Sequence, residues 1–174
     1  MAKEIGLKRG IVKLSPYNKS WPKLFLTEKE LLEKTLSPRI KIIDIQHVGS
    51  TAIPKISAKP IIDIALAVED IDKAKICLEP LEKIGYHFRP DASSENRVFL
   101  AKGPEENRTI YLHIEKHQGQ DWKNLIQFRD YLIKDKSARD EYQKLKQDLF
   151  LKYADDRPKY TALKNKFIQN IIKK

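Results

Sequence analysis

The stretch from His47 to Val68 constrains the fold of this chain more than any other, because a short polar turn separates two apolar segments there. Residues 41–48 are rich in isoleucine and their side chains alternate, which predicts a strand that Gly49 ends. The second apolar segment, residues 61–68, contains one carboxylate, Asp63, among aliphatic neighbours. Because a buried carboxylate needs a partner, this stretch predicts two strands with a polar site where they meet.

The turn after the first strand has the composition of an anion-binding site. Gly49 is followed by Ser50 and Thr51, so backbone N–H groups and two hydroxyls can converge on one phosphate group. Lys59 precedes the second strand, where its ammonium would meet phosphate oxygens. His47 stands just before the turn, and we consider two roles for it, orienting the loop or taking part in the chemistry.

Length and composition describe an ordinary globular protein. The 174 residues suit one domain, with a sheet core over about residues 11–117 and a helical region over about 121–174. Cys77 is the only cysteine, which excludes an internal disulfide and a cysteine-based zinc cluster. Neither a membrane span nor a secretory signal is visible, so we expect a cytoplasmic protein without a membrane partner.

The formal net charge of +10 favours an anionic partner. Nucleotides, RNA and phosphorylated metabolites all meet that description. We find no RNA-binding motif and no row of aromatic residues interleaved with basic ones, so nucleic acid is a less favoured partner than a small molecule. The sequence therefore predicts a nucleotide or another phosphorylated small molecule as ligand, without specifying an oligomeric state.

The remaining segments predict an α+β fold. An apolar stripe from Trp21 to Leu36 predicts a helix with Ser20 as its N-cap. Alternating residues at 97–102 and 109–116 predict a hairpin. Further predicted elements are short strands at 11–14 and 86–89, a helix from Asp70 or Asp72 to Ile84 that Pro80 either kinks or divides, and three C-terminal helices, of which the second starts at Ser137 with Asp140 in a capping box.

The stretch from His47 to Val68 resembles the nucleotidyltransferase superfamily associated with DNA polymerase beta. The signature of that superfamily is a hydrophobic residue, then Gly, then either Gly or Ser, and later a carboxylate on a strand. Val48, Gly49, Ser50 and Asp63 match these four positions in turn. More narrowly, the chain resembles the GrpB family in the blocks HVGSTAIP, AKPIIDI, RTIYLHI and FRDYL, together with Tyr160 and Lys164. The resemblance implies a nucleotidyltransferase-like mixed β-sheet covered by helices on one face, followed by a C-terminal helical region.

The resemblance also implies chemistry that depends on a divalent cation such as Mg²⁺, which takes carboxylate ligands. Asp63 matches the first carboxylate of the signature, but Ala65 stands at the second position and Gln46 stands where the family commonly has an acid. Strand alternation sends His113 and Glu115 to one face of the segment 109–116. Either of these two side chains would complete a site with Asp63.

We therefore expect Asp63 and Glu115 as metal ligands and Asp63 and His113 as catalytic residues. An imidazole beside Asp63 would act as a general base or as a ligand for a softer metal. The alternative for His113 is a strand histidine that is hydrogen-bonded to the aspartate. Both interpretations require the two side chains to share one face of the sheet.

Three arginines have two interpretations each. Arg97 and Arg108 begin the hairpin strands, where they would either contact phosphate or remain solvated. Arg129 lies in an apolar helical stripe, so it either ties the helical region to the sheet or reaches the cleft. We favour the tie for Arg129.

Two functions remain open. The first is a nucleotidyltransferase that moves a nucleotidyl group from a nucleoside triphosphate to a small-molecule or protein acceptor. The second is a binding module that holds a nucleotide or phosphometabolite without turnover. Because GrpB-like domains can be fused to dephospho-CoA kinase, the resemblance also implies a link of this second function to CoA metabolism.

Overall fold

The computed structural model describes residues 5–173 and contains one five-stranded mixed sheet. The strands follow the spatial order β1-β2-β5-β4-β3, and only β2 and β5 run parallel to each other. The predicted α+β class is confirmed, and β2 pairs with β1 on one side and with β5 on the other. The strands are β1 Ile42–Val48, β2 Ile62–Val68, β3 Tyr86–Phe88, β4 Arg97–Lys102 and β5 Ile110–Lys116.

Six α-helices accompany the sheet in the described part of the chain. Three lie between the turn at residue 20 and the third strand, and three follow the last strand. In chain order they are α1 Trp21–Leu36, α2 Ile71–Ala74, α3 Leu78–Lys83, α4 Gln120–Lys134, α5 Lys136–Tyr153 and α6 Arg157–Ile172. Across residues 5–173 we find no helix with the length and apolar character that crossing a membrane requires.

The two faces of the sheet have different cover because successive side chains of β2 point to opposite sides. Ile62, Ile64 and Leu66 enter the main core, which also contains Trp21 and Leu32 of α1. The predicted helical cover of one face is therefore present. On the opposite face Ala65 and Ala67 contact Trp122 of α4, so the C-terminal helical region reaches the face that presents Asp63.

The apolar stripe of α1 contains one buried carboxylate, Glu28. Glu28 is buried, and its Oε1 accepts hydrogen bonds from Tyr86 Oη at 2.8 Å and Lys102 Nζ at 2.6 Å. Burial, followed by the charge of Glu28, raises the pKa of Tyr86 well above its usual value. The buried carboxylate is thus paired, and it links α1 to the far edge of the sheet.

Four local predictions are wrong or need adjustment. Residues 11–14 form no strand, because Val12 packs instead against Leu149 and Tyr160 of the helical region. Helix α5 begins at Lys136 rather than at Ser137. Its N-cap is Asp135, whose side chain accepts the N–H of Ala138.

The helix predicted after β2 is divided, but not at Pro80. A 3-10 turn at Lys75–Cys77 separates α2 from α3, and Pro80 lies in the first turn of α3, where a missing N–H costs little. Asp70 caps α2, as predicted, by accepting the N–H of Asp72. Ser20 precedes α1 without a capping side-chain bond, and Asn18 Oδ1 accepts its N–H at 2.8 Å.

The C-terminal helices are held to the sheet through the segment between β1 and β2. Ile53 and Ile56 of this segment pack against Phe128 and Tyr142. Arg129 Nη1 donates to Gln46 Oε1 at 2.7 Å and to the carbonyl of His47 at 2.8 Å, which confirms that this arginine ties α4 to β1. The glycine-containing turn therefore lies between the sheet and the helical region.

Candidate functional site

Asp63 lies at the start of β2, between Val48 of β1 and Tyr111 of β5. His113 is two residues farther along β5, opposite Ala65, and its Nε2 lies 3.3 Å from Asp63 Oδ1. The two side chains therefore share one face of the sheet. His113 Nδ1 is buried and has no hydrogen-bond partner among the described residues.

The turn after β1 lies directly against this carboxylate. Gly49 has a φ of +69° and begins a 3-10 turn at Ser50–Ala52. A Cβ atom at position 49 would lie 2.6 Å from Asp63 Oδ2, so only glycine allows both this backbone conformation and this approach. The signature glycine thus determines how closely the turn approaches Asp63.

We predict that Gly49→Ala destabilises the fold by about 1–3 kcal/mol and displaces Asp63, because the change combines a strained φ with a steric overlap. Urea denaturation would measure the loss. Gly10→Ala is the matched control: Gly10 has a φ of +87°, but a Cβ atom added at this position would meet nothing within 4 Å. Equal losses in the two variants would show that backbone strain alone matters.

Asp63 lines a cavity of about 310 Å³ between the sheet and helices α5 and α6. Three lysines from different elements line it, and we call it the lysine cavity after Lys59, Lys146 and Lys164. Three phenols also line it, from Tyr111, Tyr142 and Tyr160. One carboxylate therefore faces three ammonium groups in a partly enclosed space.

Burial and mutual repulsion lower the pKa values of the three lysines. Burial lowers the pKa of Lys59 to about 7, with further lowering by Lys164 and Arg157, and Asp63 opposes this only in part. Burial likewise lowers the pKa of Lys146 to about 7, and Lys164 and Lys59 add to the effect. The pKa of Lys164 is also lowered, chiefly by burial. An added anion would offset this mutual repulsion.

Lys146 and Ser50 are fixed by α5. The Lys146 ammonium donates to the carbonyl of Ser57 and lies 4.7 Å from the ring centroid of Tyr142. Ser50 Oγ lies 3.3 Å from Tyr142 Oη, and burial raises the pKa of that phenol. The phenol therefore stays protonated near neutral pH and is able to donate a hydrogen bond.

Sequence reasoning missed Lys146 and assigned no role to Lys164. A signal for Lys146 was present, because this lysine follows Tyr142 by four residues and so falls on the apolar stripe of its helix. A charged residue on a buried stripe indicates a polar contact or a ligand.

Thr51 and His47 serve the packing of the turn. Thr51 is buried, and its Oγ1 lies 3.0 Å from His47 Nε2 and donates to the carbonyl of Ile61 at 3.4 Å. The His47 ring stacks on Phe25 of α1 with a centroid distance of 5.0 Å. Burial lowers the pKa of His47 to about 4, so this ring is neutral at pH 7. His47 does not line the lysine cavity.

The structure does not bring Glu115 to Asp63. Glu115 is four residues beyond Tyr111, the β5 partner of Asp63, which corresponds to about 13 Å along the strand. It is buried, and burial, with a smaller effect of Asp121, raises its pKa to about 8. The two predicted metal ligands share a face but are too far apart along the strand to bind one ion.

Arg97 and Arg108 also lie outside the lysine cavity. Arg97 Nη2 donates to the carbonyl of Ala92 at 2.6 Å, and Arg108 Nη1 donates to the carbonyl of Gly103. Both guanidinium groups thus hold neighbouring loops. In this arrangement neither reaches the phosphate position that the sequence suggested.

A magnesium site finds little support in the donor set. Between residues 5 and 173 no three His, Cys, Asp or Glu side chains are grouped so that they could hold a metal ion. Asp63 and His113 alone supply one carboxylate and one imidazole, whereas Mg²⁺ prefers several oxygen ligands in octahedral geometry. The residues present therefore do not fit the metal that the resemblance implies.

Weaker similarities extend to proteins with named activities. A dephospho-CoA kinase of Mycolicibacterium paratuberculosis is 26% identical over 97% of this chain, which spans 47% of that protein. A structure of Cid1 poly(U) polymerase superposes with a TM-score of 0.46 at 12% identity, covering 77% of this chain and 45% of the other. A superposition of that quality supports no argument about function.

Closer relatives match nearly the full length. The glutamate-rich protein GrpB of Alkalihalophilus pseudofirmus is 38% identical over 97% of this chain and 98% of its own. The crystal structure of the conserved protein GrpB from Enterococcus faecalis superposes with a TM-score of 0.82 at 30% identity, covering 92% of this chain and 98% of the other. The family model described as GrpB protein matches residues 11–174. The chain therefore belongs to the GrpB family.

Proposed function

We propose that the lysine cavity binds the phosphate groups of a phosphorylated small molecule, with a nucleotide as the favoured ligand. One observation supports this most strongly: Lys59, Lys146 and Lys164 converge on a space that offers only one carboxylate, Asp63, among the residues that the structure describes. Buried ammonium groups that repel one another gain most from an anion that they share.

The turn at Gly49 adds neutral donors to this charge. Ser50 Oγ and Tyr142 Oη lie at the same wall of the cavity, so a phosphate oxygen there would accept from a hydroxyl as well as from ammonium groups. Charge-assisted hydrogen bonds of this type are about twice as strong as neutral ones. In this proposal the ammonium groups neutralise phosphate charge, as a metal ion does in nucleotidyl transfer.

A thermal-shift screen tests the proposal. ATP, inorganic triphosphate and dephospho-CoA are compared with adenosine, because a ligand that binds only the folded state raises the melting temperature. We expect a rise with phosphorylated ligands and none with adenosine. If no phosphorylated ligand raises the melting temperature at millimolar concentration, the proposal is wrong. Selective stabilisation by dephospho-CoA would favour the link to CoA metabolism.

Nucleotidyl transfer is the second candidate function. The position of Asp63 favours it, since this carboxylate lies beside the signature turn and within 3.3 Å of His113. In a metal-dependent transferase Asp63→Asn would abolish divalent-dependent nucleotide binding and turnover, and Ala65→Asp would strengthen metal binding.

For a cavity that binds phosphate without a metal, we predict the opposite results. Asp63→Asn keeps an acceptor for His113 but removes a negative charge near the phosphates, so ATP affinity should stay equal or rise by up to about fivefold. Ala65→Asp should weaken binding. Isothermal titration calorimetry with and without Mg²⁺ measures both effects.

Asp44→Asn is the matched control for this series, because Asp44 lies on β1 outside the lysine cavity. It should leave ATP affinity unchanged. Loss of ATP binding in Asp63→Asn alone would contradict the metal-free proposal and support the transferase.

A further inference from the structure

A second depression adjoins the lysine cavity. It has a volume of about 790 Å³ and lies between the start of α6 and the strands β4 and β5. Tyr111 and Asn165 line both spaces, so the two are neighbours across a shared wall. We call the second space the arginine groove, after Arg9, Arg89 and Arg157 in its lining.

Two aromatic rings form part of the groove on the Asp63 face of the sheet. Phe99 of β4 and Tyr111 of β5 are both half-buried, with ring centroids 5.3 Å apart and an interplanar angle of 48°. Arg157 Nη2 lies 3.2 Å from Tyr111 Oη and donates to it. This bond orients the Tyr111 ring and leaves partly exposed aromatic surface beside the lysine cavity.

The charges of the groove do not favour a second phosphate. Arg89 donates to both carboxylate oxygens of Asp91, at 2.9 and 2.6 Å, and Arg9 is paired with Glu105. Two of the three guanidinium groups are thus already balanced by carboxylates. A flat, uncharged group suits this lining better than an anion does.

The sizes of the two spaces point to a ligand with two parts. At about 310 Å³ the lysine cavity is at the lower end of the range for small-molecule sites, which suits a phosphate chain rather than a whole nucleotide. We propose that the arginine groove binds the base of a nucleoside polyphosphate, packed on Phe99 and Tyr111, while its phosphates occupy the lysine cavity. This inference rests on the proposed function.

The test compares ATP with inorganic triphosphate by isothermal titration calorimetry. Wild type should bind ATP about tenfold more tightly than triphosphate, the lower part of what base stacking on an aromatic side chain contributes. Phe99→Ala should remove that difference while leaving triphosphate affinity unchanged. Phe99→Leu, which keeps apolar volume beside His113, should also lose most of the difference and guards against misfolding of the alanine variant.

Phe88→Ala is the matched control, since Phe88 is exposed on the edge strand β3 and lines neither space. It should bind both ligands as wild type does. Equal affinity of wild type for ATP and triphosphate would overturn the base site while leaving phosphate binding intact. Equal weakening of both ligands by Phe99→Ala and Phe99→Leu would also overturn it. If neither ligand binds to wild type, the proposed function itself fails.

Discussion

Replacing Lys164 by methionine should weaken triphosphate binding by about 10- to 100-fold, because a hydrogen bond to a charged group contributes about 1.5–3 kcal/mol. The same change should not destabilise the fold. The pKa of Lys164 is lowered by burial, and its ammonium has no hydrogen bond to another described residue, so methionine removes a desolvated charge and keeps the chain length.

Lys166→Met is the control for this experiment, because Lys166 is exposed on the same helix. It should change neither triphosphate affinity nor the free energy of unfolding. Calorimetry and urea denaturation measure the two quantities separately. A Lys164→Met variant that loses stability together with affinity would mean that this lysine holds the helix in place rather than the ligand.

The second large effect is the dependence of affinity on pH. Lys59 and Lys146 each have a pKa of about 7 in the free protein, so above pH 7.5 both are mostly neutral. A bound phosphate raises these pKa values and therefore draws protons onto the protein. Between about pH 7.5 and 9.5, affinity should fall by up to about tenfold per pH unit for each lysine that takes up a proton.

Proton uptake can be measured directly. Titrations at pH 8 in buffers of different ionisation enthalpy should show about one proton or more taken up per ligand bound. ATP is the ligand in these titrations, because its single terminal phosphate has a second pKa of about 6 and so exchanges few protons at pH 8. Affinity that stays flat from pH 7.5 to 9.5, with no proton exchange, would contradict the lysine assignment.

Stability of the free protein should change in the opposite direction. The unfolded chain holds lysine protons up to pH values near 10, whereas folded Lys59 and Lys146 lose theirs near 7. Because the unfolded state binds more protons, their contribution makes the fold more stable as pH rises from 7 to 10. Below pH 8, Glu115 has the opposite effect on stability, because its pKa is raised to about 8 in the folded protein. Urea denaturation between pH 7 and 10 is therefore measured in the Glu115→Gln variant.

The part of the site that lies on neighbouring strands could be predicted from the sequence. Alternation along β2 and β5 puts Asp63 and His113 on one face, and the register then brings them within 3.3 Å. The same alternation gives the face of Glu115 but not its distance along the strand. Alternation along β1 puts His47 and Val48 on opposite faces of the sheet. Because Val48 pairs with Asp63, this pattern indicates that His47 points away from the cleft.

The part of the site that comes from the helical region could not be predicted in the same way. Lys146 lies 83 residues after Asp63 in the chain, and helical periodicity does not specify which surface of the sheet a helix will cover. The contact of Lys146 with the carbonyl of Ser57 depends on how α5 packs against the segment between β1 and β2. Only the tertiary structure determines that packing.

The most direct test of phosphate binding by ammonium groups is the affinity of the wild-type protein for inorganic triphosphate with EDTA and with Mg²⁺, both at pH 7. Lys59, Lys146 and Lys164 are all present in either condition, and Asp63 is the only carboxylate that lines the cavity in the described part of the chain. We predict a dissociation constant in EDTA that is equal to or lower than the value in Mg²⁺. Binding that is detectable only with Mg²⁺ would contradict a cavity in which lysines take the place of the metal.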